Sequence, residues 1–265
     1  PAPSDNGNHP APMPQITPPA NLKIITMTEY DKNISSVLAA YPPEYPTNTL
    51  SDQLHNLGIH QTHISETEKY AHVTYFFNGG RETPHPDETF IQVPSPKPET
   101  FVTQPQMAAQ QVTQKTLETI TNHPNEFLVV NFANCDMIGH TGDFEATRKA
   151  ISIIDQYIGQ LAQTVISHNG YFFLTADHGN AESKIAPTTG SATKDHTSNP
   201  VPFIAVGPNL KLPQPTQDRI TTNSTITGIL ADVAPTILTL LNLPIPNEMT
   251  GTPLFSIPEM PAPQP

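Results

Sequence analysis

The sequence predicts an α/β fold built on a mostly parallel sheet with helices on both faces, and three observations predict it. Short, continuous apolar runs occur at LKIITM (22–27), FLVVNFA (127–133), YFFLTA (171–176) and PFIAVG (202–207), the pattern of strands buried on both faces. Segments of helical spacing lie among them, and the order strand, helix, strand, helix favours parallel neighbours joined by crossovers. With 265 residues, the chain is long enough to enclose a sizeable core.

The elements follow in order. PAPSDNGNHPAPMPQITPPA has almost nothing to bury, so a disordered proline-rich tail is expected over 1–20, and SIPEMPAPQP implies a similar tail over 257–265. The folded domain is expected over 21–256. After LKIITM, an amphipathic helix is expected over MAAQQVTQKTLETI (107–120), and FLVVNFA follows it as a strand. The clearest helix lies in DFEATRKAISIIDQYIGQLAQTVISHNG, where Ala146, Ala150, Ile153, Ile154, Tyr157, Ile158, Leu161 and Val165 form one stripe and Gly170 is expected to end it as a C-cap. A third helical segment, GILADVAPTILTLLNL (228–243), contains Pro235, which predicts a kink or the start of a second helix.

Composition narrows the function. Twelve Lys+Arg against 24 Asp+Glu give a net charge of -12, and the basic residues are scattered, so nucleic acid and anionic membrane surfaces are poor partners. A single cysteine, Cys135, forms no internal disulfide and fits a reducing, cytoplasmic compartment; it reads as a packing residue. No apolar run is long enough to span a bilayer, and the amino terminus lacks a signal-peptide pattern.

Three loops next to strands carry the candidate chemistry. NFANCDMIGHTGD places Asp136 and His140 four apart, LTADHGNAE places Asp177 and His178 after a strand, and KDHTSNPVPFI places His196 before one. Each alone reads as well as turn chemistry or a loop histidine. Parallel strand ends converge on one rim, however, so the five side chains could meet there. Imidazole and carboxylate donors without thiolate suit Mn²⁺ or Zn²⁺, and five ligands exceed the needs of one tetrahedral ion. A pair of metals serving phosphoryl chemistry is therefore expected.

ETEKYAHVTYFFNGG (66–80), PSPK (94–97), NFANCDMIGHTGD, LTADHGNAE, HTSNPVPFI and LADVAPTILTLLNLPIPNEMTG (230–251) occur in this order, with MTEYD (27–31) before them. This chain resembles the carboxyl-terminal half of the cofactor-independent (2,3-bisphosphoglycerate-independent) phosphoglycerate mutases, of the alkaline-phosphatase-like metalloenzyme superfamily. The resemblance implies an isomerase that interconverts 3-phosphoglycerate and 2-phosphoglycerate in glycolysis through a phosphoserine intermediate, with two divalent ions, Mn²⁺ first and Zn²⁺ or Co²⁺ as alternatives. It implies that Asp136, His140 and His196 hold one ion, that Asp177 and His178 belong to the other, and that Lys69 neutralises phosphoryl charge. His63, His72, His123 and His168 match no ligand position and read as structural or surface histidines.

The family's serine nucleophile, a further aspartate and its substrate-gripping arginines belong to an amino-terminal segment, which this chain is expected to lack, leaving the sheet incomplete. The chain has three arginines, Arg81, Arg148 and Arg219. The chain is expected to be either a fragment of such an enzyme or one piece of a split enzyme whose partner polypeptide carries the amino-terminal half, and in isolation it is expected to be inactive. The alternatives are a non-catalytic or regulatory metal-binding relative and a stand-alone metal-dependent phosphatase.

Overall fold

The computed structural model describes residues 19–31, 34, 37–124, 126–186, 189–208, 210 and 226–255. The tails expected over 1–20 and 257–265 lie outside these residues, apart from Pro19 and Ala20. The chain divides into two compact units, Pro1–Tyr45 and Pro46–Pro265, a boundary inside the stretch 21–256 that the sequence suggests is one domain.

In the first unit, β1 (Ile24–Thr26) pairs in parallel with β2 (Val37–Ala39), Ile24 opposite Val37. The run LKIITM is not buried on both faces as expected: Ile25 is 66% and Leu38 62% exposed.

The second unit begins with α1 (Leu50–Asn56), which Thr49 caps by accepting from the Asp52 amide while Asp52 accepts from the Thr49 amide. Such a reciprocal cap satisfies two otherwise unpaired donors. Thr49→Ala is expected to cost about 1 kcal/mol of stability, read from urea denaturation.

The sheet consists of β3 (Gln61–Glu66), β4 (Glu88–Val93) and β5 (Phe127–Val130), ordered β4-β3-β5 and parallel throughout. Alternate residues of a strand face opposite sides. On one side, Ile64 packs with Val93, Ala108 and Val112, the last from α2 (Ala109–Asn122), together with Val130. On the other, the ring of His63 meets Phe77 and Phe90, and Phe127 joins Leu50 and Leu54 of α1 with Ile237 and Leu238. Helices thus cover both faces, as the sequence predicts.

After β5 come α3 (Asn134–Gly139) and α4 (Phe144–Ser167), whose buried residues include Ala146, Ala150, Ile154 and Leu161 from the expected stripe. The left-handed residue that ends α4 is Asn169 (φ 59°), not Gly170. Gly170 is needed for closeness instead, because a Cβ there would lie 2.9 Å from Val165 Cγ1.

One correction concerns pairing. β6 (Phe172–Leu174) and β7 (Ile204–Val206) form a separate antiparallel pair, although both runs suggest members of a parallel sheet. A 3₁₀ turn, Leu230–Asp232, then leads into α5 (Val233–Leu240). Pro235 falls in the first turn of α5, where the amide it lacks would be unpaired in any case, so of the two expectations it meets the start of a second helix, after the 3₁₀ turn, and not the kink. No helix among the described residues is long and apolar enough to cross a membrane.

Candidate metal centre

Strand β5 delivers the chain to α3, whose first turn carries Asp136 and whose carboxyl end is capped by His140. Four-residue spacing on a helix puts both side chains on one face. His140 Nε2 lies 3.1 Å from Asp136 Oδ1. Its other nitrogen, Nδ1, is 2.7 Å from the Lys194 carbonyl oxygen, to which it donates, and this contact fixes the ring with Nε2 facing the carboxylate.

His196 Nε2 completes the group, 3.3 Å from Asp136 Oδ1 and 3.0 Å from His140 Nε2. These three donor atoms match the edges of a coordination tetrahedron, which are about 3.3 Å long for bonds of about 2.0 Å. The ring of His178 stacks on that of His196 at 3.7 Å, and donor atoms of Asp136, His178 and His196 all lie within 4.8 Å of one another. The donor set therefore suits a first-row divalent ion, with Asp136 Oδ1 and imidazole nitrogens of His140, His178 and His196 gathered in one place.

Asp177 stands at the rim. Its side chain is 62% exposed, and its Oδ2 is 3.5 Å from His178 Nε2. The structure thus gathers Asp136, His140, His178 and His196 more closely than it gathers Asp177.

Lys69 ends the 3₁₀ turn Thr67–Lys69 that directly follows β3, and its buried Nζ lies 2.5 Å from Asp136 Oδ2. Burial alone would raise the Asp136 carboxyl. Hydrogen bonds from Lys69 and Asn180, with the charges of Lys69 and His140, instead hold it down at about 2.

Four further residues belong to the site and carry no signal in the sequence reading. Asn180 Nδ2 donates to Asp136 Oδ1 at 2.6 Å. Lys184 Nζ donates to the Gly139 carbonyl at 3.2 Å and to Asn180 Oδ1. Glu182 accepts from the Asn180 amide at 2.7 Å, from Asn199 Nδ2 at 2.9 Å and from the Thr197 hydroxyl, tying the Asp177 loop to the His196 loop. His72, taken from the sequence for a structural or surface residue, lies within electrostatic range of Lys69, Asp177, Asp136 and His178; burial and then Lys69 pull its pKa down.

Gly139 is required by the close approach of Asn180, since a Cβ there would lie 2.5 Å from Asn180 Oδ1 and 2.8 Å from Asn180 Cγ. Gly139→Ala is expected to destabilise the chain by about 1–3 kcal/mol, measured by denaturant unfolding. The described arginines serve elsewhere: Arg81 is 3.5 Å from Glu88, and Arg148 is 2.7 Å from Glu145. Arg219 lies outside the described residues.

Imidazole and carboxylate donors clustered beyond the carboxyl end of a parallel strand define an α/β protein with a metal-type centre. The chain belongs to the metalloenzyme superfamily, whose family profile matches residues 17–245. It is 46% identical over 235 residues to the 2,3-bisphosphoglycerate-independent phosphoglycerate mutase of Clostridium botulinum, covering 89% of this chain and 44% of that protein. The mutase of the same name from Thermomicrobium roseum is 44% identical over 93% of this chain and 46% of its own length. Among solved structures, Leishmania mexicana phosphoglycerate mutase at low cobalt concentration superimposes with a TM-score of 0.72 and 28% identity, covering 86% of this chain and 43% of that one. The chain therefore spans somewhat less than half the length of the relatives it matches.

Proposed function

We propose that this chain forms the metal-binding part of a phosphoglycerate mutase that interconverts 3-phosphoglycerate and 2-phosphoglycerate through a phosphoserine. The observation that carries the reading is the trio of donor atoms, Asp136 Oδ1, His140 Nε2 and His196 Nε2, separated by 3.0 to 3.3 Å and backed by Lys69. Similarity to the named mutases supports the substrate.

Asp136, His140 and His196 would hold one ion, Mn²⁺ first and Co²⁺ or Zn²⁺ as alternatives. Asp177 and His178 would contribute to a second, completed by a residue from the amino-terminal half of the family. A divalent ion in such a place supplies charge stabilisation to a transferring phosphoryl group and lowers the pKa of a nearby hydroxyl. Lys69 holds Asp136 in its ionised form and brings a fixed positive charge to the place where phosphoryl oxygens gather negative charge. His140 keeps its Nε2 lone pair turned inward through its contact with Lys194. The serine that receives the phosphoryl group and the arginines that grip the substrate come, in this reading, from the amino-terminal half, on a partner polypeptide or on the remainder of a longer chain.

Calorimetric titration with Mn²⁺ tests the centre. His196→Ala is expected to weaken binding by about 100-fold or more, against the 10- to 100-fold characteristic of residues that only orient a ligand. Mixing the chain with a polypeptide bearing the amino-terminal half is then expected to produce 2-phosphoglycerate from 3-phosphoglycerate, with no turnover by either part alone.

The three-donor arrangement by itself favours a second reading, a stand-alone metal-dependent phosphatase. Metal-dependent hydrolysis of a generic phosphate ester by the chain alone would favour this and count against the mutase.

A further inference from the structure

We propose that Lys184 is a positioning residue for the metal centre: by fixing the side-chain amide of Asn180, it holds Asp136 in the orientation in which it meets His140 and His196. This rests on the metal-binding reading above. It concerns a residue that the sequence pattern presents as an ordinary loop lysine.

The geometry runs in one direction. Lys184 is 3% exposed, and its ammonium is directed at the Gly139 carbonyl and Asn180 Oδ1. An ammonium only donates hydrogen bonds, whereas the two ends of an asparagine amide differ in role but hardly in shape. The ammonium therefore selects the oxygen end of Asn180. Nδ2 is left facing Asp136, where it donates to Oδ1 at 2.6 Å and approaches the backbone oxygen at 3.3 Å. That Oδ1 is the same atom that lies 3.1 Å from His140 Nε2 and 3.3 Å from His196 Nε2. The Asp136 carboxylate, which only accepts, asks for the same orientation, so the ammonium is a second anchor on the opposite end of the amide; without Lys184 the Asn180 oxygen is left buried without this donor and the amide is held from one side only.

The surroundings fit this role. Asn180, Glu182 and Lys184 alternate along one loop, and each reaches a different partner: Asp136, the Thr197–Asn199 segment, and the carbonyl of Gly139 in α3. Asn180 is itself 4% exposed, so water does not readily replace the ammonium as its partner. A buried ammonium whose hydrogen-bond acceptors are a carbonyl and an amide oxygen is expensive to maintain as a simple loop tie. An apolar side chain would fill the space without that cost.

The test is Mn²⁺ affinity, measured by calorimetry on the full chain, with thermal unfolding of the metal-free proteins as a check on folding. Lys184→Met is expected to weaken binding by about 10- to 100-fold. Asn180→Ala is expected to do the same, and the double variant to be no weaker than the weaker single one, because both substitutions break one relay. Lys184→Gln, which can still donate to Asn180 Oδ1, is expected to stay close to the parent chain; if Lys184→Met fails to fold, this variant decides the matter. Parent-like affinity in Lys184→Met, losses that multiply in the double variant, or a Lys184→Gln protein that folds yet binds as weakly as Asn180→Ala would each overturn the inference and leave the metal reading standing. Failure of the parent chain to bind Mn²⁺ would overturn both.

Discussion

Glu66→Gln is expected to remove a loss of about 3 kcal/mol in stability that the metal-free chain suffers as pH rises from about 5 to about 8. Glu66 ends β3, is fully buried, and has neither carboxyl oxygen in a hydrogen bond of ordinary geometry. Burial pushes its pKa from 4.5 up to about 7, with the Ala108 amide and the Ser95 hydroxyl opposing weakly. In the unfolded chain the carboxyl releases its proton near 4.5. Between that pH and about 7, the folded chain binds more protons than the unfolded one, so stability falls as pH rises and levels off above the folded value. Glutamine cannot ionise and removes this slope. Urea denaturation of both proteins at several pH values checks it: the two curves should converge near pH 5 and separate toward about pH 8, with the glutamine variant the more stable there. Parallel curves would count against the buried-carboxyl account.

The second large effect lies at Asp136. Asp136→Ala is expected to abolish Mn²⁺ binding and to destabilise the metal-free chain by about 3 kcal/mol, because it leaves the Lys69 ammonium buried without its carboxylate. The pH dependence here has the opposite sign to that of Glu66. The folded Asp136 carboxyl is held at about 2, below its usual 3.8, so its contribution is fully present above the unfolded value and is lost as pH falls from about 4 toward about 2. That contribution is about 2 kcal/mol. An acid titration of stability should therefore be shallower for Asp136→Ala than for the parent over that interval. Asp136→Ala combined with Lys69→Met should regain part of the lost stability, since the unpaired charge goes with the lysine.

Much of the fold was legible where burial is apolar. FLVV, FFL and IAV are strands, as their continuous apolar runs suggest, although none is buried on both faces as expected: their residues are half-buried and Ile204 is 47% exposed; α2 and α4 follow their helical spacing. The central strand β3 was not legible. Its sequence QTHISE is mostly polar, yet every residue is buried, and up to Glu66 hydrogen bonds stand in for apolar contact: Gln61 donates to the Ser51 carbonyl, and His63 Nδ1 meets the Val73 carbonyl at 2.6 Å. Nor does a run such as PFIAVG record the direction of its pairing, which is why the antiparallel β6–β7 pair was missed.

At the site, the clustering of Asp136, His140, His178 and His196 was legible only from their joint placement in loops next to strands, since each alone reads as well as turn chemistry. Asn180, Glu182 and Lys184 were not, since an amide and two charges in a loop look like a solvated turn. Their role follows from burial and from which atom each one faces.

The separation of the site residues along the chain also bears on the order in which the molecule assembles. Lys69 meets Asp136, Lys184 meets Gly139, and Glu182 meets Thr197 and Asn199, so the centre closes only after several long segments have been brought together. Loop closure of this kind must be completed before its contacts return any free energy. Helices α2 and α4 form from local contacts and can precede it. A refolding chain is therefore expected to pass through a stage in which the helices and the β3 sheet are present while the ligand loops are still apart, and capacity for metal is the last property it recovers.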